Sequence, residues 1–348
     1  MKAAVLREIG QLDICNLAVP VCHIGEVLVK VEACSICKTD TKMYNFGQRD
    51  LRLPRVLGHE VAGTVVEAGK GVTGFHPGDR VQVAPGIPCG QCHFCLNGIS
   101  NMCAHISIIG FHHDGGFAEY LLVPAGGVKH GCLNKIPEDL PLEQAAMAEP
   151  IACCINAQKL CKVVPGDVVV IFGAGPVGHL HAQVARQSGA AQVIVIEVDQ
   201  RRIAFAESGS ADIVLDFKKS NIIDVILDRT EGRGADVVLC SCAAPEVPVQ
   251  GIKMLAKRGR ISFFSGLPHG QENIPLDYNQ VHYKELQIFG AYGCTSEQNV
   301  KAIDLLARRK INVDWLITHR ISLDELIEGF KLVDSHDAMG VVVTEFRS

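Results

Sequence analysis

The stretch VVVIFGAGPVG, residues 168–178, decides how the chain is built. Five apolar residues, four of them β-branched, run straight into Gly173-Ala174-Gly175-Pro176-Val177-Gly178. A short apolar run of this kind reads as a buried strand. The G-x-G-x-x-G pattern at its end reads as the turn from that strand into a helix. In such a turn Gly173 permits the tight bend, Gly175 lets a pyrophosphate approach the backbone, and Gly178 allows the helix to lie close on the strand. Pro176 and Val177 open the helix, whose free N–H groups and positive dipole end face the phosphates. Nineteen residues after Gly178, Glu197 ends the next apolar run, VIVIEV. A carboxylate there binds both adenine-ribose hydroxyls and repels a 2′-phosphate, so NAD is expected over NADP. Arg201 and Arg202 follow closely, so a place for Arg202 beside the cofactor and some use of NADP stay open.

The same texture continues outward. From about 165 to 292, six strand-like runs alternate with helical patterns: 168–173, 193–198, 212–216, 236–241, 260–266 and 286–292. Strand–helix alternation at this pitch predicts right-handed βαβ units and a doubly wound parallel sheet, hence an α/β fold. Upstream, the first 150 residues are β-rich. EVLVKVEAC (26–34), VAGTVVEAG (61–69), DRVQVAP (79–85) and GGFAEYLLVP (115–124) alternate or form short runs broken by Gly and Pro. The tail from 293 carries two helical patterns, around 296–310 and 323–333, and a last strand-like GVVVTEF. It is too short to be a domain and is expected to return to the first unit.

Composition narrows the class. The 348 residues suggest two domains. With 48% hydrophobic and 20% charged residues, a soluble globule is expected. A net charge of −5 without basic clusters argues against nucleic acid as a partner. No apolar stretch reaches the roughly 18–20 residues that span a bilayer, so no membrane partner is expected. The N-terminus lacks the apolar core of a signal peptide, which points to the cytoplasm.

Fifteen cysteines in such a chain suggest metal rather than cystine. Four of them fall in CGQCHFCLNGISNMC, residues 89–103. Cys89, Cys92 and Cys95 are spaced by three, and Cys103 can fold back after the turn at 98–100. Four thiolates make a closed, structural zinc site. An iron–sulfur cluster is the alternative, although the ferredoxin run continues with a closer fourth cysteine and a proline.

A second set of donors is scattered: Cys37 in CSICKTD, His59 and Glu60 in LGHEVAG, and Glu149 in MAEPIACC. GHEVAGTVVEAG (58–69), the Cys-x-x-Asp at 37–40, the four-cysteine lobe and the glycine loop stand in an order that resembles zinc-dependent medium-chain alcohol and polyol dehydrogenases. The resemblance covers essentially the whole chain. It implies a GroES-like catalytic domain over 1–155 and 293–348, split around a Rossmann domain over 156–292. It also implies one catalytic zinc on Cys37, His59 and one of Glu60 or Glu149, with an open position for water or substrate oxygen. Thr39 falls at the family's proton-relay position. Where alcohol dehydrogenases continue the relay with histidine, this chain has Lys42. Lys38 falls where some members hold the pyrophosphate with arginine, or it is solvated.

Glutamate rather than cysteine at 149 resembles the sorbitol and threonine types. The resemblance therefore implies hydride transfer from the secondary hydroxyl of a polyol or polyol phosphate to NAD. L-threonine or another secondary alcohol or diol is the alternative substrate, and a non-catalytic binding relative is the alternative class. Tyr44, Phe111 and His112 are candidate pocket residues, and Arg49, Arg52, Arg55 and His112–His113 are candidate phosphate partners. Family members pair Rossmann edge strands, which implies a homodimer or homotetramer with residues 286–292 near an interface.

Overall fold

The computed structural model describes residues 1–207, 209, 211–219 and 221–347. They form two compact units, Met1–Ala152 together with Cys294–Ser348, and Cys153–Gly293.

The first unit is built on a sheet of seven strands. In spatial order they are Leu133–Lys135, Arg80–Val83, Glu60–Ala68, Val27–Ser35, Gly340–Glu345 and Ile317–Ser322, with Tyr120–Val123 also pairing on Val27–Ser35. The terminal strand Gly340–Glu345 pairs antiparallel with Val27–Ser35 (Val342 opposite Ser35, Val343 opposite Cys34), so the tail is an integral strand of this unit. Val27–Ser35 is flanked by neighbours on both edges and is buried at seven of its nine positions. Its sequence therefore alternates less than that of a strand with one wet face. Helix Leu326–Asp334 closes the core by placing Phe330 against Phe117 (ring centroids 6.0 Å apart) and Tyr44 (5.5 Å). Removing a ring such as Phe330 from water is worth about 1.5–3 kcal/mol. A hairpin of Lys2–Glu8 and Gln11–Asn16, extended by Arg55–Val56, forms a further small sheet that the sequence pattern does not announce.

The second unit is a six-stranded parallel sheet. Its spatial order is Ile213–Asp216, Gln192–Glu197, Val168–Phe172, Ala235–Cys240, Leu255–Phe263 and Gln287–Gly290. Numbered along this unit the order is 3-2-1-4-5-6, the doubly wound arrangement with its switch point between the first and fourth strands. Val168–Phe172 is buried at every position. Val168, Val170 and Phe172 join Ile194, Ile196 and Val238 in one apolar layer, and Val169 and Ile171 join Val193, Val195 and Leu239 in the other. Both faces being covered explains the unbroken apolar run. The strand expected at 260–266 begins five residues earlier, at Leu255, and ends at Phe263. Lys257, Arg258 and Arg260 mask its start in the sequence. Gln287–Gly290 lies at one edge with Gln287 and Ile288 exposed. No helix among the described residues is long and apolar enough to cross a membrane.

Candidate functional site

The helix Lys38–Phe46 starts on an unusual cap. Cys37 is its N-cap, and its Sγ accepts a hydrogen bond from the Thr39 amide at 3.4 Å. Asp40 completes a capping box by accepting from the Cys37 amide through Oδ2 at 3.0 Å. Asp40 is fully buried and does more than cap. Its Oδ1 accepts from the Gly58 amide at 3.3 Å and lies 3.2 Å from His59 Nδ1. A carboxylate only accepts, so the Nδ1 proton of His59 donates to it and Nε2 is left as the ligand atom. One buried acid thus ties the Cys37 turn to the His59 turn. The spacing Cys-x-x-Asp is a capping-box signature, and this is the signal by which Asp40 could have been found from sequence.

Glu60 opens the strand Glu60–Ala68 opposite Ser35 in the antiparallel register. The ligand atoms of Cys37, His59 and Glu60 lie within 4.8 Å of one another. Burial, and then the neighbouring Glu149 charge, push the Glu60 carboxyl up to about 7. Burial, followed by Glu60, also raises the Cys37 thiol. Burial alone would depress His59, but the Asp40 and Cys37 charges outweigh it and hold the imidazole well above its usual range. A thiol, an imidazole and a carboxylate in one cluster are the donor set of an open zinc site, and a divalent cation would favour the charged forms that burial and the neighbouring carboxylates disfavour.

Glu149 lies in the helix Ala148–Leu160, buried at 8% exposure, with the Cys294 Sγ 4.0 Å from its Oε1. Sequence reasoning did not single out Cys294, which stands 145 positions away. Thr39 is half-buried and Lys42 exposed. Lys38 is ion-paired, its Nζ 2.6 Å from Asp334 Oδ1. Among the pocket candidates, Phe111 is buried with its ring edge-on to His59 at 5.6 Å, whereas Tyr44 packs on Phe330. Arg55 pairs with Asp114 at 2.8 Å and Arg49 with Asp50 at 3.1 Å. The Arg52 amide donates to the Phe111 carbonyl, which brings this basic segment beside the His59 ring's neighbour. Burial lowers the pKa of both His112 and His113, so they are expected to be neutral at pH 7.

The four lobe cysteines converge. Cys92 Sγ lies 3.5 Å from Cys95 Sγ and 3.9 Å from Cys103 Sγ, and all four sulfurs fall within 4.8 Å of one another. Sulfurs about 2.3 Å from a tetrahedral zinc stand about 3.8 Å apart, whereas a disulfide needs about 2.05 Å. None of the fifteen cysteines is joined in a disulfide. Amide groups turn toward the sulfurs: Cys103 Sγ accepts from the Cys89 and His105 amides at 3.2 and 3.3 Å. Hydrogen bonds from the Cys95 and Ala104 amides lower Cys92 to about 6. Such donors stabilise thiolates, the form that binds metal.

In the second unit Gly173 has φ +100°, a conformation that favours glycine. A Cβ on Gly178 would fall 1.8 Å from the Gly173 carbonyl oxygen, so the helix Pro176–Gln187 can approach the loop only with glycine there. Gly175 caps that helix, Pro176 fills its first position, and the nearest group to a Cβ on Gly175 is the Arg202 guanidinium at 3.5 Å. The Val177 carbonyl accepts a weak bond from the Cys154 thiol. Glu197 is buried at the strand's end. Its Oε2 accepts from the Ala174 amide at 2.7 Å, and its Oε1 from the Val198 and Asp199 amides at 2.6 and 3.1 Å. Hydrogen bonds from Arg201 hold Asp199 down at about 2. The loop, the helix N-terminus and a fixed acid beside them fit a dinucleotide.

Comparison with known proteins agrees with this geometry. Residues 23–134 match the family described as "Alcohol dehydrogenase GroES-like domain", and residues 176–308 match "Zinc-binding dehydrogenase". The chain is 36% identical over 315 residues to L-threonine 3-dehydrogenase of Pyrococcus furiosus, covering 89% of this chain and 88% of that protein. It is 34% identical over 322 residues to sorbitol dehydrogenase of Halalkalibacterium halodurans, covering 92% and 91%. A chain from Sinorhizobium meliloti 1021, whose crystal structure carries NADP, superimposes with a TM-score of 0.92 at 33% identity, covering 99% of this chain and 98% of that one. The chain, an oxidoreductase with a GroES-like and a Rossmann-like domain, belongs to the zinc-dependent medium-chain alcohol dehydrogenase family.

Proposed function

We propose that this chain oxidises the secondary hydroxyl of a polyol or polyol phosphate, with NAD as the hydride acceptor. The observation that carries the substrate class is the second buried carboxylate: Glu149 stands close enough to Glu60 for its charge to help raise Glu60 to about 7. A simple primary alcohol offers one hydroxyl to such a site. A polyol offers neighbouring hydroxyls that can donate to the carboxylate left off the metal, a contact an apolar substrate does not make.

Cys37, His59 and one of Glu60 or Glu149 would hold the catalytic zinc, which when bound supplies a Lewis acid to the substrate oxygen while NAD supplies the hydride acceptor. Asp40 keeps the Nδ1 proton of His59 in place. Phe111 meets the imidazole in an edge-type contact and lines it with apolar surface. The hydroxyl of Thr39 both donates and accepts, so its Oγ1 can take the substrate's proton and hand another to solvent. Cys89, Cys92, Cys95 and Cys103 would hold a second, structural zinc.

The fixed, buried Glu197 supports NAD over NADP: its carboxylate accepts three amide hydrogens beside the glycine loop, where a 2′-phosphate would meet its charge. The Arg202 guanidinium, the nearest group to a Cβ on Gly175, supports a role for Arg202 as a partner of the dinucleotide. The exposed edge strand Gln287–Gly290 supports assembly as a homodimer or homotetramer. Fifteen cysteines outside any disulfide support a reducing, cytoplasmic setting.

L-threonine is the second reading. The Pyrococcus relative's name favours it, and the Arg49–Arg55 segment beside Phe111 suits a substrate carboxylate as well as a phosphate. The test is a panel of polyols, polyol phosphates, L-threonine and primary alcohols, assayed for cofactor reduction with NAD⁺ and with NADP⁺. The highest kcat/KM for a polyol or its phosphate with NAD⁺ supports the first reading, and the highest for L-threonine supports the second. A primary alcohol turned over best would overturn both.

A further inference from the structure

A chain of buried amides in the first unit ends at Glu149. Asn134 Nδ2 donates to Gln82 Oε1 at 2.9 Å, and Gln82 Nε2 donates to Asn299 Oδ1 at 3.1 Å. Asn299 Nδ2 donates to Cys294 Sγ at 3.3 Å, and the Cys294 thiol points at Glu149 Oε1 at 4.0 Å. The three amide side chains are 6%, 0% and 1% exposed in the order Asn134, Gln82, Asn299. They come from separate elements: the paired strands Leu133–Lys135 and Arg80–Val83, in which Asn134 faces Gln82, and the helix Ser296–Ala307.

The direction of the chain is fixed by backbone. Asn299 Nδ2 also donates to the Thr295 carbonyl at 3.0 Å, which turns its Oδ1 toward Gln82. Gln82 Nε2 also donates to the Val83 carbonyl at 3.0 Å, which turns its Oε1 toward Asn134. Each amide therefore donates toward Glu149, and each link polarises the next in the same sense. Three uncharged amides in an apolar core gain little for stability over apolar residues that fill the same space, so a fully satisfied, one-directional network is best understood by what stands at its end.

We propose that Gln82, Asn299 and Cys294 are positioning residues for Glu149. Asn299 orients the sulfur of Cys294 so that its proton faces the glutamate, and this contact keeps the carboxylate in the rotamer it uses toward metal or substrate. The inference rests on the proposed role of Glu149 in the metal site.

The test is a double-mutant cycle on the zinc-loaded protein. Cys294→Ala, Cys294→Ser and Asn299→Ala are each made alone and with Glu149→Ala. Two quantities are read: kcat/KM, and competition by a chelator for the zinc whose loss abolishes turnover. Outer-shell partners of metal ligands typically contribute 10–100-fold to metal affinity or activity, and the long sulfur contact places the expectation near tenfold. Cys294→Ala and Asn299→Ala are expected to weaken zinc retention and kcat/KM about tenfold. Cys294→Ser, which keeps a donor, restores most of the loss. Neither single change adds to Glu149→Ala, because the group they orient is gone. Cys294→Ala leaves the amides paired with one another, so it separates positioning from folding if Asn299→Ala is unstable. Losses that add fully to Glu149→Ala, or wild-type zinc retention in both Cys294→Ala and Asn299→Ala, would overturn the proposal. If Glu149→Ala itself leaves zinc retention and turnover unchanged, the reading of Glu149 fails instead.

Discussion

Replacing Asp40 by asparagine tests whether one buried acid assembles the metal-binding face. Asp40 accepts three hydrogen bonds: from the Cys37 amide, the Gly58 amide and His59 Nδ1, at 3.0, 3.3 and 3.2 Å. Asparagine has the same shape but one acceptor oxygen. Whichever way the amide turns, its NH₂ group faces either the Cys37 amide or the pair formed by Gly58 and His59, and donor meets donor. Leaving a buried donor unsatisfied costs about 1–3 kcal/mol, so a fall in melting temperature with the fold retained is expected. The larger effect is on the metal. Without its acceptor the imidazole is free to turn or change tautomer, and losses of about 10–100-fold in zinc affinity or activity follow, equivalent to roughly 1.4–2.7 kcal/mol. Zinc affinity is read by chelator competition, and kcat/KM is measured on the folded variant at saturating zinc. Folded Asp40→Asn protein with wild-type zinc affinity and wild-type kcat/KM would refute the claim that His59 needs this partner.

Three further outcomes are expected. Cys95→Ser removes one of four converging sulfurs, so it should lower the melting temperature and the zinc content by one ion per chain before it harms turnover; unchanged values of both would remove the structural site. Glu197→Ser deletes a carboxylate whose hydrogen bonds to ribose would be worth about 1.5–3 kcal/mol, so the NAD⁺/NADP⁺ ratio of kcat/KM should fall about tenfold or more; an unchanged ratio would sink the ribose contact. Burial holds His181 neutral down to about 3, below the usual histidine value near 6.5. Between those values the unfolded chain binds a proton that the folded chain does not, so stability is full above about 6.5 and falls as the pH drops toward 3. From pH 6.5 to 5 this one group costs up to about 2 kcal/mol. Urea unfolding at the two pH values should show that difference shrinking in His181→Gln, and an identical pH dependence in both proteins would contradict it.

The parallel sheet was legible because its central strands, Val168–Phe172, Gln192–Glu197 and Ala235–Cys240, are apolar runs buried on both faces. The start at Leu255 was hidden because the charged, exposed Lys257 and Arg258 interrupt the strand directly after Leu255 and Ala256. The opening hairpin was missed for another reason: Gln11–Asn16 is short and buried at none of its positions, so its brief alternation over Gln11–Ile14 carries little weight. The lobe cysteines could be grouped because fifteen consecutive residues bring them together. Cys37, His59 and Glu149 could not be grouped by spacing at all, and only resemblance joined them. Asp40 was within reach, since Cys-x-x-Asp is a local cap whose second role, holding His59, depends on a residue nineteen positions on. Cys294 and the amides behind it carry no local signal, because their meeting with Glu149 is produced by the return of the tail into the first unit's core.

Diffraction from an active preparation, recorded on both sides of the zinc absorption edge, tests the central claim most directly. Two anomalous peaks per chain are predicted, one among Cys89, Cys92, Cys95 and Cys103 and one against Cys37, His59 and Glu60 or Glu149. Full turnover in a preparation with no peak at the second position would contradict it.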